Sequence, residues 1–281
     1  MKGSLAMPNG ETKDQPLVSI ITPSFNQAQF LEQTTLSVKE QGYPNIEHII
    51  IDGGSTDGTL DILKKYTDSV TWVSEPDEGQ SQAINKGFTM AKGEIVGWIN
   101  SDDYYLPGVV SVAVDVLINN PEIDLIYGYC AKVDESGNTL EILKSPDFDR
   151  KLLFSNPCII LQQTVFFRRS LLDKVGLLNE SYHYAMDFDL WIRMAQVGNF
   201  KLIPEILAAY RFSSGCKSVA NSQKFWQEVD QIFKKNGGLN ISPVYLALHK
   251  SKIIHAIWDR LRSPFLMKLR NRLFGFWESS K

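Results

Sequence analysis

Residues 94–103 read EIVGWINSDD: an apolar run, Ile95-Val96-Gly97-Trp98-Ile99, that breaks into Asn100-Ser101-Asp102-Asp103. Apolar side chains at consecutive positions point to both faces of an extended chain. Such a strand is buried on both sides, as in a parallel sheet covered by helices. The polar turn that follows sets two carboxylates side by side. They repel one another, so a positive partner is expected nearby.

Working outward, the same strand-then-turn pattern recurs on either side of this stretch. The sequence predicts strands over 17–23, 46–52, 69–75, 94–100 and 123–130. Between them it predicts helices over 28–41, 59–66, 81–92 and 108–120. Strands alternating with helices give βαβ units, hence an α/β fold with a mixed, mainly parallel sheet flanked by helices. The alternation stops near residue 130. Beyond it the chain reads as a hairpin over 131–143, a strand over 163–169, helices over 170–176 and 186–198, and two strands over 200–204 and 206–212. From Ser222 onward it reads as a helical appendage. The organisation expected is therefore a disordered leader (1–16), a ligand-binding half (17–130), an acceptor-side half of the same domain (131–221) and a C-terminal helical, basic tail (222–281).

Bulk properties narrow the function classes. The chain has 281 residues, 43% of them hydrophobic and 22% charged, with a formal net charge of −3. No stretch approaches the ~20 continuous apolar residues of a membrane-spanning helix, and the polar start has no secretory h-region. Cys130, Cys158 and Cys216 are scattered and read as free thiols of a reducing compartment. The four histidines form no zinc spacing. Residues 243–281 hold eight basic and two acidic side chains, a net +6, which leaves −9 for the first 242 residues. A body that acidic repels phosphate backbones, so nucleic acid is not an expected partner.

In an open parallel sheet, ligands bind beyond the carboxyl ends of the strands. Those ends read TPSFNQ, DGGSTDGT, EPDEGQS and NSDDYY here, which puts Asp52, Asp57, Glu75, Asp77, Glu78, Asp102 and Asp103 on one edge. A hard divalent cation neutralises such a cluster most simply. Mg²⁺ and Mn²⁺ take one or two carboxylates and complete their shell with water and substrate phosphate oxygens. The sequence has no GxxxxGK[ST] loop, and no GxGxxG follows the first strand, which argues against P-loop and dinucleotide folds.

VSIITPSFNQAQFLEQTTLSVKEQ, IIIDGGSTDGT, EPDEGQSQAINKGFTMAKGEIVGWINSDD and YAMDFDLWIRMA, in this order, resemble a family 2 glycosyltransferase of the GT-A fold. The resemblance runs from about Leu17 to Phe212. It implies an inverting enzyme that moves a sugar from a nucleotide-diphosphate sugar, UDP- or dTDP-linked, to a hydroxyl acceptor with Mn²⁺ or Mg²⁺. Carried over by motif, Pro23, Asn26, Asp52, Asp57, Gly79, Asn85, Ser101 and Asp102 are donor-binding. Asp52 would accept a hydrogen bond from the base, while Asp57 serves equally well as an N-cap for the helix near Thr59. Asn100-Ser101-Asp102 stands at the family's DxD position with Asn for the first Asp, so Asp102 is the implied metal ligand. Asp103 and Gln163 would meet the donor sugar or the acceptor, although Gln162 and Gln163 could also serve neighbouring backbone groups.

Inversion by direct displacement needs one general base for the acceptor hydroxyl. Asp187 falls on the family's base position. Asp189 is the rival, and it can instead pair with Arg193 at i, i+4. No QxxRW signature of processive synthases is found, and Ser213-Ser214 stand where some relatives place a metal-binding His. Arg211 or Lys217 could meet the diphosphate. The tail over 249–281 interleaves Lys and Arg with bulky apolar residues, as in helices that lie on anionic lipid. It would equally suit packing on the body or in a homodimer. The function implied is glycan assembly at the cell envelope on a glycan or lipid-linked acceptor, by a cytoplasmic protein peripheral to the inner face of the membrane. A nucleotidyltransferase and a catalytically degenerate binding module are the competing classes.

Overall fold

A computed structural model of the chain describes residues 15–157, 159–212 and 222–236. The expected leader apart from Gln15 and Pro16, Cys158, Ser213, Ser214, Cys216, Lys217 and the tail beyond residue 236 lie outside them. The elements in chain order are β1 (Val18–Ser24), α1 (Leu31–Lys39), β2 (Ile46–Asp52), α2 (Thr59–Lys65), β3 (Thr71–Ser74), α3 (Gln80–Met90), β4 (Ile95–Trp98), β5 (Tyr104–Tyr105) and α4 (Val109–Asn119). There follow β6 (Leu125–Val133), β7 (Thr139–Leu143), α5 (Arg150–Leu153), β8 (Phe166–Arg168), α6 (Ser170–Val175), α7 (Met186–Val197), β9 (Phe200–Arg211) and α8 (Ser222–Lys235). A 3₁₀ turn, Gln162–Thr164, leads into β8.

The strands form one sheet in the order β3-β2-β1-β4-β8-β6-β9-β5, with β7 also paired to β6. The first four are mutually parallel. β8 runs antiparallel between β4 and β6, so the sheet is mixed. β6 runs across the expected division at residue 130 and pairs with strands of the second half, so both halves share one sheet. Every residue of β1 is buried, as its continuous apolar pattern demands. Helices cover both faces. Ile21, Ile49 and Ile51 pack with α3, α7 and α8 on one side, and Val18 and Ile20 pack with α1 and α4 on the other. α3 lies close on β1 because Gly87 has no side chain there: a Cβ would stand 2.5 Å from Ile21 Cγ2.

The two short strands expected over 200–204 and 206–212 are one strand, β9. Between Tyr127↔Leu202 and Tyr129↔Ile206 the register shifts, giving β9 extra residues opposite Gly128. Pro204 falls in that irregularity. A proline cannot donate to the ladder, so a bulge admits it without ending the strand.

Candidate functional site

The first three parallel strands end in register, with Ser24 opposite Asp52 and Asp52 opposite Ser74. Above that edge and the end of β4 opens a cleft of about 1000 Å³. It is walled by the loops after β1, β3 and β4, by the turn before β8 and by the start of α7. Among its described lining residues seven are acidic and none is Lys or Arg.

Eleven site residues are singled out by the sequence, and nine of them meet in this cleft. Pro23, Asn26, Asp57, Gly79, Ser101, Asp102, Asp103, Gln163 and Asp187 all line the cleft. Asn26, in the left-handed region at φ 52°, ties the first two loops together: its N–H donates to Ser55 Oγ at 2.7 Å and its Oδ1 accepts from Thr56 N at 2.9 Å. Asp57 both lines the cleft and accepts the Thr59 N–H at 3.0 Å and the Ala28 N–H at 2.9 Å. Burial acts to raise its carboxyl, and hydrogen bonds from the Thr59 hydroxyl and these amides outweigh it, leaving Asp57 below its ordinary value.

Asp52 and Asn85 are not among the cleft residues. Asp52 is fully buried beneath the floor. Its carboxylate accepts from the Ser74 and Ser55 hydroxyls and from the Gly54 and Ser55 amides. It therefore fixes the shape of the loop after β2. Asn85 clips α3 to the segment before α7: its Nδ2 donates to the Leu178 carbonyl at 3.0 Å and to Glu180 at 2.8 Å, and its Oδ1 accepts from Leu178 N at 2.8 Å.

At the turn after β4, Thr34 Oγ1 donates to the carbonyls of Ser101 and Asp103, at 2.9 and 2.6 Å. Asn100 is locked by an amide network. Its Oδ1 accepts from Gln80 Nε2 at 2.8 Å and Trp98 Nε1 at 3.0 Å, and its Nδ2 faces Gln162 Oε1 at 3.3 Å and Asp103 Oδ2 at 3.4 Å. Asp103 is buried. Its desolvation, and then the charge of Asp102, push its carboxyl well above the usual range, against hydrogen bonds from the Arg211 amide, Gln163 and Asn100. Gln162 serves the backbone, donating to the Trp98 carbonyl at 2.6 Å. Arg211 is 2% exposed and grips the carbonyls of Asp102, Asp134 and Glu135, so it is not a cleft cation.

Asp187 stands half-buried in the first turn of α7, accepting the Phe188 N–H at 2.8 Å. Burial pushes its carboxyl up to about 6, with the charge of Glu228 adding to the rise and backbone hydrogen bonds opposing it. Asp189 is fully buried and pairs with Arg193 at 2.9 Å, as the i, i+4 spacing predicts.

Among the described residues no group of three or more His, Cys, Asp or Glu is placed to hold a metal ion. Asp102 offers one half-buried carboxylate at the cleft wall. One carboxylate completed by diphosphate and water oxygens is a set that Mg²⁺ and Mn²⁺ accept. Sequence reading did not single out Gln80, Trp98 or Glu228, whose roles depend on partners distant in the chain.

Comparison with known proteins gives the same architecture. Residues 19–176, more than half of the chain, match the family described as glycosyl transferase family 2. The chain is 27% identical to a glycosyltransferase of Rickettsia typhi, over 91% of this chain and 92% of that one. It is similar in structure to a mannosyltransferase of Pyrobaculum calidifontis in complex with GDP-Man and Mn²⁺, at TM-score 0.64 and 20% identity, covering 96% of this chain and 77% of that one. It is also similar to residues 1–349 of Staphylococcus aureus TarS in complex with UDP-GlcNAc, at TM-score 0.62 and 19% identity, covering 78% of this chain. The chain spans 66% of that TarS fragment, just under two thirds. These neighbours carry the GT-A fold that the motifs imply.

Proposed function

The chain belongs to glycosyl transferase family 2 and is a glycosyltransferase, and on that premise we propose an inverting, metal-assisted transfer of one sugar from a nucleotide-diphosphate donor to a hydroxyl. The observation that carries this reading is that Asp102 and Asp187 line the same cleft, although they come from opposite halves of the chain. Asp102 would hold Mn²⁺ or Mg²⁺ against the donor diphosphate. The ion supplies charge neutralisation that the described lining, acidic and without Lys or Arg, does not.

Asp187 is the general base. A carboxyl near 6 is ionised at neutral pH yet basic enough to take a proton from an acceptor hydroxyl as that oxygen attacks the anomeric carbon. Asp103 and Gln163, joined by a hydrogen bond, are proposed to orient the donor sugar or the acceptor. Asp52 supports the base-binding loop from below. A nucleotidyltransferase does not fit the family match.

The neighbours solved with UDP-GlcNAc and with GDP-Man make UDP- and GDP-sugars the first donors to try. A glycan or lipid-linked acceptor in envelope assembly, met at the inner face of the membrane, is supported by the basic, aromatic composition of 249–281. No helix among the described residues is long and apolar enough to cross a membrane.

Calorimetric titration with UDP and GDP, with and without Mn²⁺, tests the donor site, and Mn²⁺-supported hydrolysis of UDP-GlcNAc or GDP-mannose tests catalysis. Metal-dependent binding that Asp102→Ala weakens at least 10-fold is expected. Equal affinity with EDTA would overturn the role of the ion.

A further inference from the structure

The segment leading into α7 is gripped from two sides. From α3, Ser81 Oγ donates to the Tyr182 carbonyl at 2.8 Å. From α8, Glu228 Oε1 accepts the His183 N–H at 2.9 Å, and its Oε2 accepts those of Tyr184 and Ala185, both at 2.8 Å. Three successive main-chain donors thus end on one carboxylate.

Amides at the head of a helix have no helical carbonyl to meet, and a side-chain acceptor at the N-cap usually supplies one. α7 has Ala185 at that position, with no side-chain cap. Glu228, from another helix, accepts instead the N-cap amide of Ala185 and the two amides before it, where the positive end of α7 favours a negative charge and ionised acceptors give the stronger hydrogen bonds. Its reach is fixed by packing: Val229 is fully buried, and Phe233 meets Phe188 edge to face at 5.3 Å. The helix so capped carries Asp187 in its first turn, and His183, Tyr184, Met186 and Asp187 line the cleft. The family match ends at residue 176, so it reaches neither Asp187 nor Glu228.

We infer that Glu228 is a positioning residue for Asp187: by capping α7 from the C-terminal helix, it fixes where the Asp187 carboxylate stands in the cleft. The inference rests on the reading of Asp187 as the base. It also makes α8 part of the catalytic apparatus, because a base displaced by ~1 Å can lose about 100-fold in rate.

The test is Glu228→Gln in the full chain. The amide places an NH₂ where an acceptor is needed. Main-chain amides of 183–185 are expected to exchange at least 10-fold faster. For whichever of UDP-GlcNAc and GDP-mannose the wild type hydrolyses with Mn²⁺, kcat should fall about 10-fold to 100-fold while the donor KM stays within twofold. In an Asp187→Asn background the same change should cost nothing further. Gln196→Ala removes a contact from α7 to the residue that follows α8, Gln196 to Asn236 at 3.2 Å, and should leave kcat as it is. A kcat within twofold of wild type, or an equal loss with and without Asp187, overturns the inference while the base reading stands. An Asp187→Asn enzyme with wild-type turnover overturns the base reading itself, and this inference with it. Should E228Q fail to fold, Glu228→Asp, one methylene short of the three amides, is read by the same criteria.

Discussion

The main-chain N–H of Arg211 donates to Asp103 Oδ1 across 2.9 Å, so the last residue of β9 holds the acidic turn that follows β4. The Arg211 guanidinium lies behind that turn, over the face of Phe30 at 4.4 Å and against the Asp102 carbonyl at 3.0 Å. The positive partner that the paired carboxylates call for is therefore present, but it acts on the backbone rather than in the cleft. Burial, and then the neighbouring Asp102 charge, hold the Asp103 carboxyl well above its ordinary range.

Asn100→Asp would restore a DxD triplet at the expense of the fold. The new oxygen would face Gln162 Oε1 and Asp103 Oδ2, the two acceptors that Asn100 Nδ2 now meets at 3.3 and 3.4 Å. A loss of about 1–3 kcal/mol is expected, larger at pH 8 than at pH 5 because ionisation sharpens the repulsion. Urea unfolding at the two values decides it, and an unchanged midpoint at both would refute the account.

Asp187 makes activity and stability depend on pH in opposite senses. Its folded value, about 6, is above the ordinary 3.8 of a free aspartate. The proposed base must be ionised, so kcat/KM should fall as pH drops through about 6. Stability runs the other way: the folded state holds the proton more tightly, so the contribution is full below the unfolded pKa and is lost as pH rises from about 4 through about 6. Asp187→Asn should therefore be more stable than wild type at pH 8, by about 1–3 kcal/mol. The gap should close towards pH 4, and parallel stability curves would contradict this.

Gly53 is required by its neighbour rather than by its own backbone. A Cβ there would stand 2.7 Å from Asp77 Oδ2, and that carboxylate accepts the Gly79 N–H at 2.9 Å through its other oxygen. Gly53→Ala should cost about 1 kcal/mol, the scale of one lost hydrogen bond. Asp77→Ala in the same chain should remove most of the added cost. Strictly additive losses in the double variant would argue against the contact.

Asn85→Ala should lower stability by about 1–3 kcal/mol, because it leaves the buried Leu178 amide and carbonyl without their partner. Nucleotide affinity should stay within twofold, since Asn85 is not among the cleft residues. A calorimetric titration with UDP and Mn²⁺ checks this, and a 10-fold loss would return Asn85 to the donor site.

The sequence by itself determined the alternating first half. β2 spans Ile46–Asp52 as its isoleucine run predicts, and α7 covers Met186–Val197, one residue short of expectation. Burial on both faces of a strand, or on one stripe of a helix, writes a short-range period into the chain, and such a period can be read without knowing the partner. It also placed the acids that follow the strands, because a parallel sheet brings all its carboxyl ends to one edge. Only the tertiary structure decided that Asp52 lies beneath the cleft, that Asn85 clips a distant loop, that β9 continues through Pro204, and that Glu228 caps the helix of Asp187. Each of these depends on a hydrogen bond or a register between residues far apart in sequence, and no local pattern records which distant donor a side chain will meet.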